Sequence, residues 1–491
     1  MRRVGKSYPL HRAPKSAGSA FSWSLANTMI SRLGTLGIGI VLARILGPEE
    51  FGTFAIALVA LMAVLSFNEL GVSLAIVRWP GDPGLIASTV NTLSVLGSTL
   101  FCALAWWAAP QFSELMGDPQ ATPVVRILIL SVLLNGIVAG PAALLQRAFE
   151  ERTRMAIDQA NVWIGAILSV LLVFLGLGAM ALAIGRLAGS FISALMFLRA
   201  SPIKYRLGWN RGYASALVKF GLPLAGSSLI VFAVGYADQL SVGAMLGSVA
   251  LGFYVLAFNL SSWPLNIISQ PLRRVAPAAF SALQSDGPRL QEAITGLLKI
   301  LACATIPAFL ALSAAATPLV RFIYGSEWIP AAQVLSWLVI VALAKVFNEL
   351  VYDYLVVVGR TNTVLAIQAL GLCLLVPALV IGARTSGIAG VAVAYAVVSV
   401  LFLLPVYLWQ LRRAGVGFTA VLKQLCLPLL AGVAAWAACT AATHFIALDL
   451  VDLAVGGTLT LALILLLLWN CRSEIQQIRR ISRTESLEAA V

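Results

Sequence analysis

The sequence predicts an all-α membrane protein of about 14 transmembrane helices: two six-helix lobes related by pseudo-two-fold symmetry, plus two C-terminal helices. Three observations carry this. Of the 491 residues, 60% are hydrophobic and only 11% charged, against about 25% charged in soluble domains. Apolar runs of roughly 20 residues, enough to cross a hydrocarbon core about 30 Å thick, recur along the whole chain. One short pattern is also written twice, LGPEEFGTFAIA at 46–57 and LGSVALGFYVLA at 246–257. A β-barrel would instead alternate polar and apolar residues over segments of about ten.

The opening MRRVGKSYPLHRAPKSAGSA (1–20) is a basic tail. The apolar run behind it lacks a convincing cleavage site and reads as a retained first helix. Breaks at Gly, Pro and charge clusters then place spans at 21–43, 52–75, 85–109, 122–146, 155–176 and 179–198, the first lobe (21–198). A basic cytoplasmic linker (199–216) leads to spans at 217–245, 250–271, 292–316, 329–358, 362–382 and 387–410, the second lobe (217–410). Spans 421–445 and 453–471 form the added pair within 411–471, and 472–491 is a tail.

The basic residues test this order. With the N-terminus inside, inner loops hold Arg147, Arg152 and Arg154, then Arg199, Lys204, Arg206, Arg211 and Lys219, then Arg273, Arg274, Arg289 and Lys299, while outer loops hold Arg44, Arg321 and Arg384. This bias is the positive-inside pattern and puts both termini in the cytoplasm. It also accounts for the net charge of +13 without nucleic acid. Trp23, Trp106, Trp107, Trp328, Trp409 and Trp469 fall at the expected interfaces, where indole rings are favoured.

In the repeat, Leu46, Gly47, Gly52 and Ala57 return as Leu246, Gly247, Gly252 and Ala257, with Phe54 answered by Tyr254. The copies join spans 1 to 2 and 7 to 8, each crossing in the same sense. A parallel repeat of six spans follows, the plan of transporters whose two lobes rock around a midplane site. The glycines suit a turn that needs positive φ or close backbone approach.

The run VLARILGPEEFGTFAIALVALMAVLSFNELGVSLAIVR (41–78) resembles the opening hairpin of Wzx-type polysaccharide flippases, members of the multidrug/oligosaccharidyl-lipid/polysaccharide exporter superfamily. The stretch LVKFGLPLAGSSLIVFAVGYADQLSVGAMLG (217–247) is similar to that family's seventh helix. The resemblance implies a flippase that moves polyprenyl-diphosphate-linked oligosaccharide from the inner to the outer leaflet of the bacterial plasma membrane for exopolysaccharide, O-antigen or capsule assembly. It implies membrane lipids as surroundings, and a polysaccharide polymerase and glycosyltransferases as neighbours. A cation-coupled multidrug exporter of the same superfamily and a lipid II flippase are the alternatives.

An ionisable group inside a span costs about 2.5–3.5 kcal/mol on insertion scales, so each asks for a reason. The first lobe holds Arg32, Glu69, Arg126 and Arg186; the second holds Asp238, Lys345, Glu349 and Asp353. Guanidinium offers planar, permanently charged donors suited to a diphosphate, which makes Arg32 and Arg186, with Arg126 behind them, the candidate substrate-binding residues. Arg186 lies in Gly185-Arg186-Leu187-Ala188-Gly189, whose G-x3-G spacing admits a neighbouring helix. The bland reading of these arginines is pairing with Glu69 or with carbonyls. Lys345, Glu349 and Asp353 share one helix face by spacing. With Asp238 and Glu69 they are candidate ion-coupling groups, although a self-neutralising Lys345–Glu349 pair reads equally well. Pro223 and Pro264 interrupt spans 7 and 8 as candidate hinges. Trp263 and Tyr236 are candidate sugar-stacking rings, with ordinary packing the commoner role.

No chemistry is indicated. There is no P-loop, and His11 and His444 lack ligand-spaced neighbours, so neither a metal site nor a cofactor is expected. Cys102, Cys303, Cys373, Cys426, Cys439 and Cys471 show no CxxC spacing and read as packing residues. A transporter is expected, not an enzyme. A membrane glycosyltransferase would need a longer extracytoplasmic loop.

Overall fold

A computed structural model describes residues 17–68, 72–265, 287–445 and 448–474, with single positions at 276, 280, 281, 283 and 476. Among these the chain is helical, with no strand. In order the helices are α1 (Ala17–Asn68), α2 (Val72–Arg78), α3 (Gly84–Leu115), α4 (Thr122–Ile129), α5 (Ser131–Arg147), α6 (Glu151–Phe174), α7 (Ala179–Ala200), α8 (Arg211–Leu246) and α9 (Ser248–Pro264). They continue as α10 (Gly287–Ala314), α11 (Ala316–Tyr324), α12 (Ile329–Val357), α13 (Thr361–Val397), α14 (Leu404–Arg413), α15 (Phe418–Phe445) and α16 (Asp449–Asn470).

Ten helical stretches among the described residues are long and apolar enough to cross a membrane. The protein is a multi-pass membrane protein. The count sits below the 14 expected spans partly because one stretch, Thr361–Arg413, holds two expected spans. Its helical geometry breaks at Ser386 and Gly387. The span expected at 122–146 is two helices, α4 and α5, meeting at Leu130.

The repeated turn folds as its glycines require. Gly47 in α1 adopts φ 72°, ψ 176°, and Gly247 between α8 and α9 adopts φ 85°, ψ −177°, a region that L side chains avoid. Pro48 follows at once, where a missing N–H costs little at a helix start. The two turns pack against each other. A methyl at Gly52 would overlap the Ser248 carbonyl, and one at Gly252 would lie 2.8 Å from the Pro48 carbonyl oxygen. Trp328 completes this mouth of the bundle, its ring edge-on to Phe51 at 5.5 Å and to Phe253 at 5.7 Å. The sequence placed Trp328 at a membrane interface; instead it is 1% exposed, because the aromatic rings of both repeats close over it. Trp106, Trp107, Trp409 and Trp469 are exposed.

At the opposite end, Arg147 at the close of α5 donates from Nη1 to the carbonyls of Ile76 and Trp79, both at 2.7 Å, and from Nη2 to Gly81 at 2.9 Å. It thereby serves the carbonyl end of α2, where helix C-termini favour cations. Arg147→Ala strips three carbonyls of a charged donor. A loss of about 2–3 kcal/mol is expected from the usual worth of charge-assisted bonds. Thermal unfolding of the purified protein in detergent checks this, and an unshifted melt refutes it.

The C-terminal pair α15–α16 packs on α10. Lys299 of α10 pairs with Glu474, and Arg321 of α11 donates through Nε to Asp449 Oδ2 at 2.7 Å. These contacts tie the pair to α10 and α11 near both ends of α16.

Candidate functional site

Gly185 and Gly189 let α7 lie against α6: a methyl on either would overlap backbone or side-chain atoms of Gly165, Ser169 or Asn161. The expected close approach is therefore present, and it sets the direction of Arg186. Seven residues into α7, Arg186 lies roughly 10 Å from the glycine-turn mouth at 1.5 Å per residue. Its side chain is exposed. Within electrostatic reach stands the phenol of Tyr236 on α8, itself stacked on Phe232 at 4.9 Å. Among the described residues no carboxylate pairs with Arg186.

Asp238, two residues from Tyr236, points elsewhere. It is 1% exposed and accepts a hydrogen bond from Tyr254 Oη at 2.9 Å, with Tyr254 fully buried. Lys345 of α12 and Tyr395 of α13 lie within electrostatic reach of this carboxylate. Tyr254 was not singled out as a functional residue from sequence, although the signal was present in the repeat. Ile38 and Phe54 occupy the corresponding positions of the first copy and join one apolar cluster around Leu42. The second copy replaces that apolar pair with a carboxylate and a phenol that bond each other. Tyr254→Phe leaves a buried carboxylate short of a donor, at an expected cost of about 1–3 kcal/mol. Asp238→Ile combined with Tyr254→Phe restores the apolar pair and should recover most of the loss. Melting curves of the single and double variants test this; a double variant as unstable as the single one defeats it.

The expected charged stripe on α12 divides. Lys345 is exposed, Glu349 half-buried and Asp353 buried, so the one face runs from open space into the protein core. Lys345 lies within electrostatic reach of Asp238, and the Glu349 carboxylate within that of the Tyr407 phenol. Arg126 is engaged within its own lobe: its guanidinium lies over the Trp106 ring, 5.4 Å to the centroid, worth about 0.5–1 kcal/mol at an exposed site, and its Nε is buried without a hydrogen bond. Pro264 closes α9, whereas α8 runs helical through position 223. The side chains of Arg32 and Pro223, and all of Glu69, lie outside the described residues.

A helical bundle of this order is a fold that solved membrane transporters share. The structure of the lipid II flippase MurJ in an inward closed conformation superposes with a TM-score of 0.75, covering 90% of this chain and 97% of that one at 15% identity. An inward-facing multidrug resistance transporter of the MATE family gives 0.63 over 78% of this chain and 94% of its own, at 16% identity. The chain belongs to the polysaccharide biosynthesis protein family, whose profile matches residues 41–333. Among its relatives, the lipopolysaccharide biosynthesis protein WzxC of Escherichia coli K12 is 24% identical over 417 residues, 84% of each chain. The succinoglycan biosynthesis transport protein ExoT of Rhizobium meliloti is 28% identical over 331 residues, 65% of each.

Proposed function

We propose that the protein is a flippase that carries polyprenyl-diphosphate-linked oligosaccharide from the inner to the outer leaflet of the bacterial plasma membrane, with both termini cytoplasmic. The observation that carries this reading is Arg186, a permanent cation on α7 with an exposed side chain and, among the described residues, no carboxylate partner. A diphosphate satisfies such a group through paired charge-assisted bonds. Family membership and relatives named for lipopolysaccharide and succinoglycan biosynthesis support the substrate class.

In this reading α1–α7 and α8–α14 are the two lobes, the glycine-turn mouth is the outer gate in its closed state, and transport proceeds by rocking toward an outward opening. Arg186 binds the diphosphate, and Arg32 and Arg126 are the further candidates for it. Asp238, Lys345, Glu349, Asp353 and Glu69 are the candidates for ion coupling. A polysaccharide polymerase and glycosyltransferases act on either side of the step. The multidrug-exporter alternative is less favoured because Asp238 is closed off by Tyr254 and does not present itself to a cationic drug.

The test is a deletion strain assayed for lipid-linked oligosaccharide on the cytoplasmic leaflet. Accumulation that the wild-type chain relieves is expected. No accumulation, with lost resistance to a cationic dye instead, would transfer the reading to the drug exporters.

A further inference from the structure

Between α7 and α8, at the end opposite the glycine turns, the chain crosses from one group of helices to the next in an extended strap, Pro202–Asn210. Three sets of bonds hold it. Ser201 Oγ donates to the Ile203 carbonyl at 2.7 Å where α7 ends, and Asn210 Oδ1 accepts from the Gly212 and Tyr213 amides to cap α8. In the middle the Gly208 amide donates to Thr92 Oγ1 at 2.9 Å, Thr92 Oγ1 bonds the Gly208 carbonyl at 2.9 Å, and Asn91 Nδ2 donates to the Arg206 carbonyl at 3.1 Å. The backbone is thus pinned along α3, with Ile203 packed against the cluster around Ile76 and Ile86 and the Tyr205 hydroxyl buried, while every second side chain is left to the outside. Lys204, Arg206 and Arg211 are exposed, and so are Leu207 and Trp209, at 60% and 57%. No acidic residue occurs from Arg199 through Lys219.

A rigid strap that offers three cations around an exposed indole and an exposed isobutyl group fits a lipid–water boundary. Indole and leucine enter the headgroup region, and the cations meet phosphate. The strap's place fixes it at that boundary, since it joins the ends of two membrane helices. The geometry points to this strap together with the first residue of α8, Lys204 through Arg211, as a binding site for anionic phospholipid headgroups, distinct from Arg186.

The probe is phosphatidylglycerol. The full-length protein is reconstituted in phosphatidylcholine nanodiscs containing graded phosphatidylglycerol, and the lipid retained after gentle release is counted by native mass spectrometry. Two variants are compared with wild type: Lys204→Gln/Arg206→Gln/Arg211→Gln, and the charge-preserving Lys204→Arg/Arg206→Lys/Arg211→Lys. Near a membrane surface each basic residue contributes appreciably to anionic-lipid attraction, so the neutral triple variant should lose retention by at least about tenfold. The charge-preserving variant should keep it. Equal retention in wild type and neutral variant overturns the proposal. So does equal loss in both variants, because the effect would then not come from charge.

Discussion

Gly52→Ala is expected to open the glycine-turn mouth. In this structure the position faces the Ser248 carbonyl so closely that a methyl would overlap it. Overpacking of this kind typically costs about 1–3 kcal/mol. That cost falls only on the conformer in which the two turns touch. It therefore shifts the balance between closed and open mouths by roughly 5- to 150-fold, since each 1.4 kcal/mol is tenfold. Leu251, fully buried beside the contact, supplies the reporter. In a background lacking the native cysteines, Leu251→Cys should resist a membrane-impermeant maleimide. With Gly52→Ala added, labelling should rise about tenfold or more. Gly37→Ala is the control: a methyl there meets nothing within 4 Å, and alanine is the better helix former by about 1 kcal/mol. If labelling stays flat in the Gly52 variant, the reciprocal glycine contact is not what holds the mouth shut.

Arg186→Ala should slow transport strongly while leaving the protein inserted and stable. No carboxylate among the described residues depends on this guanidinium, so removing it strands no buried charge, and it spares a span the roughly 2.5–3.5 kcal/mol of an intramembrane arginine. Charge-assisted hydrogen bonds are worth about 1.5–3 kcal/mol. Losing them at a diphosphate should cut the flipping rate by roughly 10- to 150-fold. Arg186→Lys keeps the charge but not the planar fork, and should fall between the two. Cytoplasmic-leaflet oligosaccharide-lipid, measured at matched expression, checks the series. An alanine variant that transports normally removes Arg186 from the site. One that fails to insert or melts early makes the arginine structural.

Much of this architecture was legible because membrane insertion writes itself into local sequence. Long apolar runs, basic clusters and paired LG-x4-G turns are each local, and each has a single physical cause. The G-x3-G motif at Gly185 and Gly189 was likewise readable, since a side chain too small to keep helices apart needs no knowledge of its partner.

Facing was harder to read. The spacing of Lys345, Glu349 and Asp353 put them on one face, but spacing cannot say what lies opposite that face. Here one end of the stripe lies within electrostatic reach of Asp238 and the other is buried among helices far away in sequence. Trp328 misled for the same reason. An indole at a helix start reads as an interface anchor until Phe51 and Phe253, from two distant turns, are brought against it.

The sequence by itself determined an all-helical membrane chain, its internal repeat, the backbone shape of its two turns and the presence of intramembrane charges. Only the tertiary structure decided that the turns close on each other, that Asp238 is claimed by Tyr254, and that Arg186 has no carboxylate partner among the described residues. The first set depends on hydrophobicity and backbone sterics, which act within a few residues. The second depends on which atoms of distant helices share a surface, and that emerges only once the whole bundle has packed.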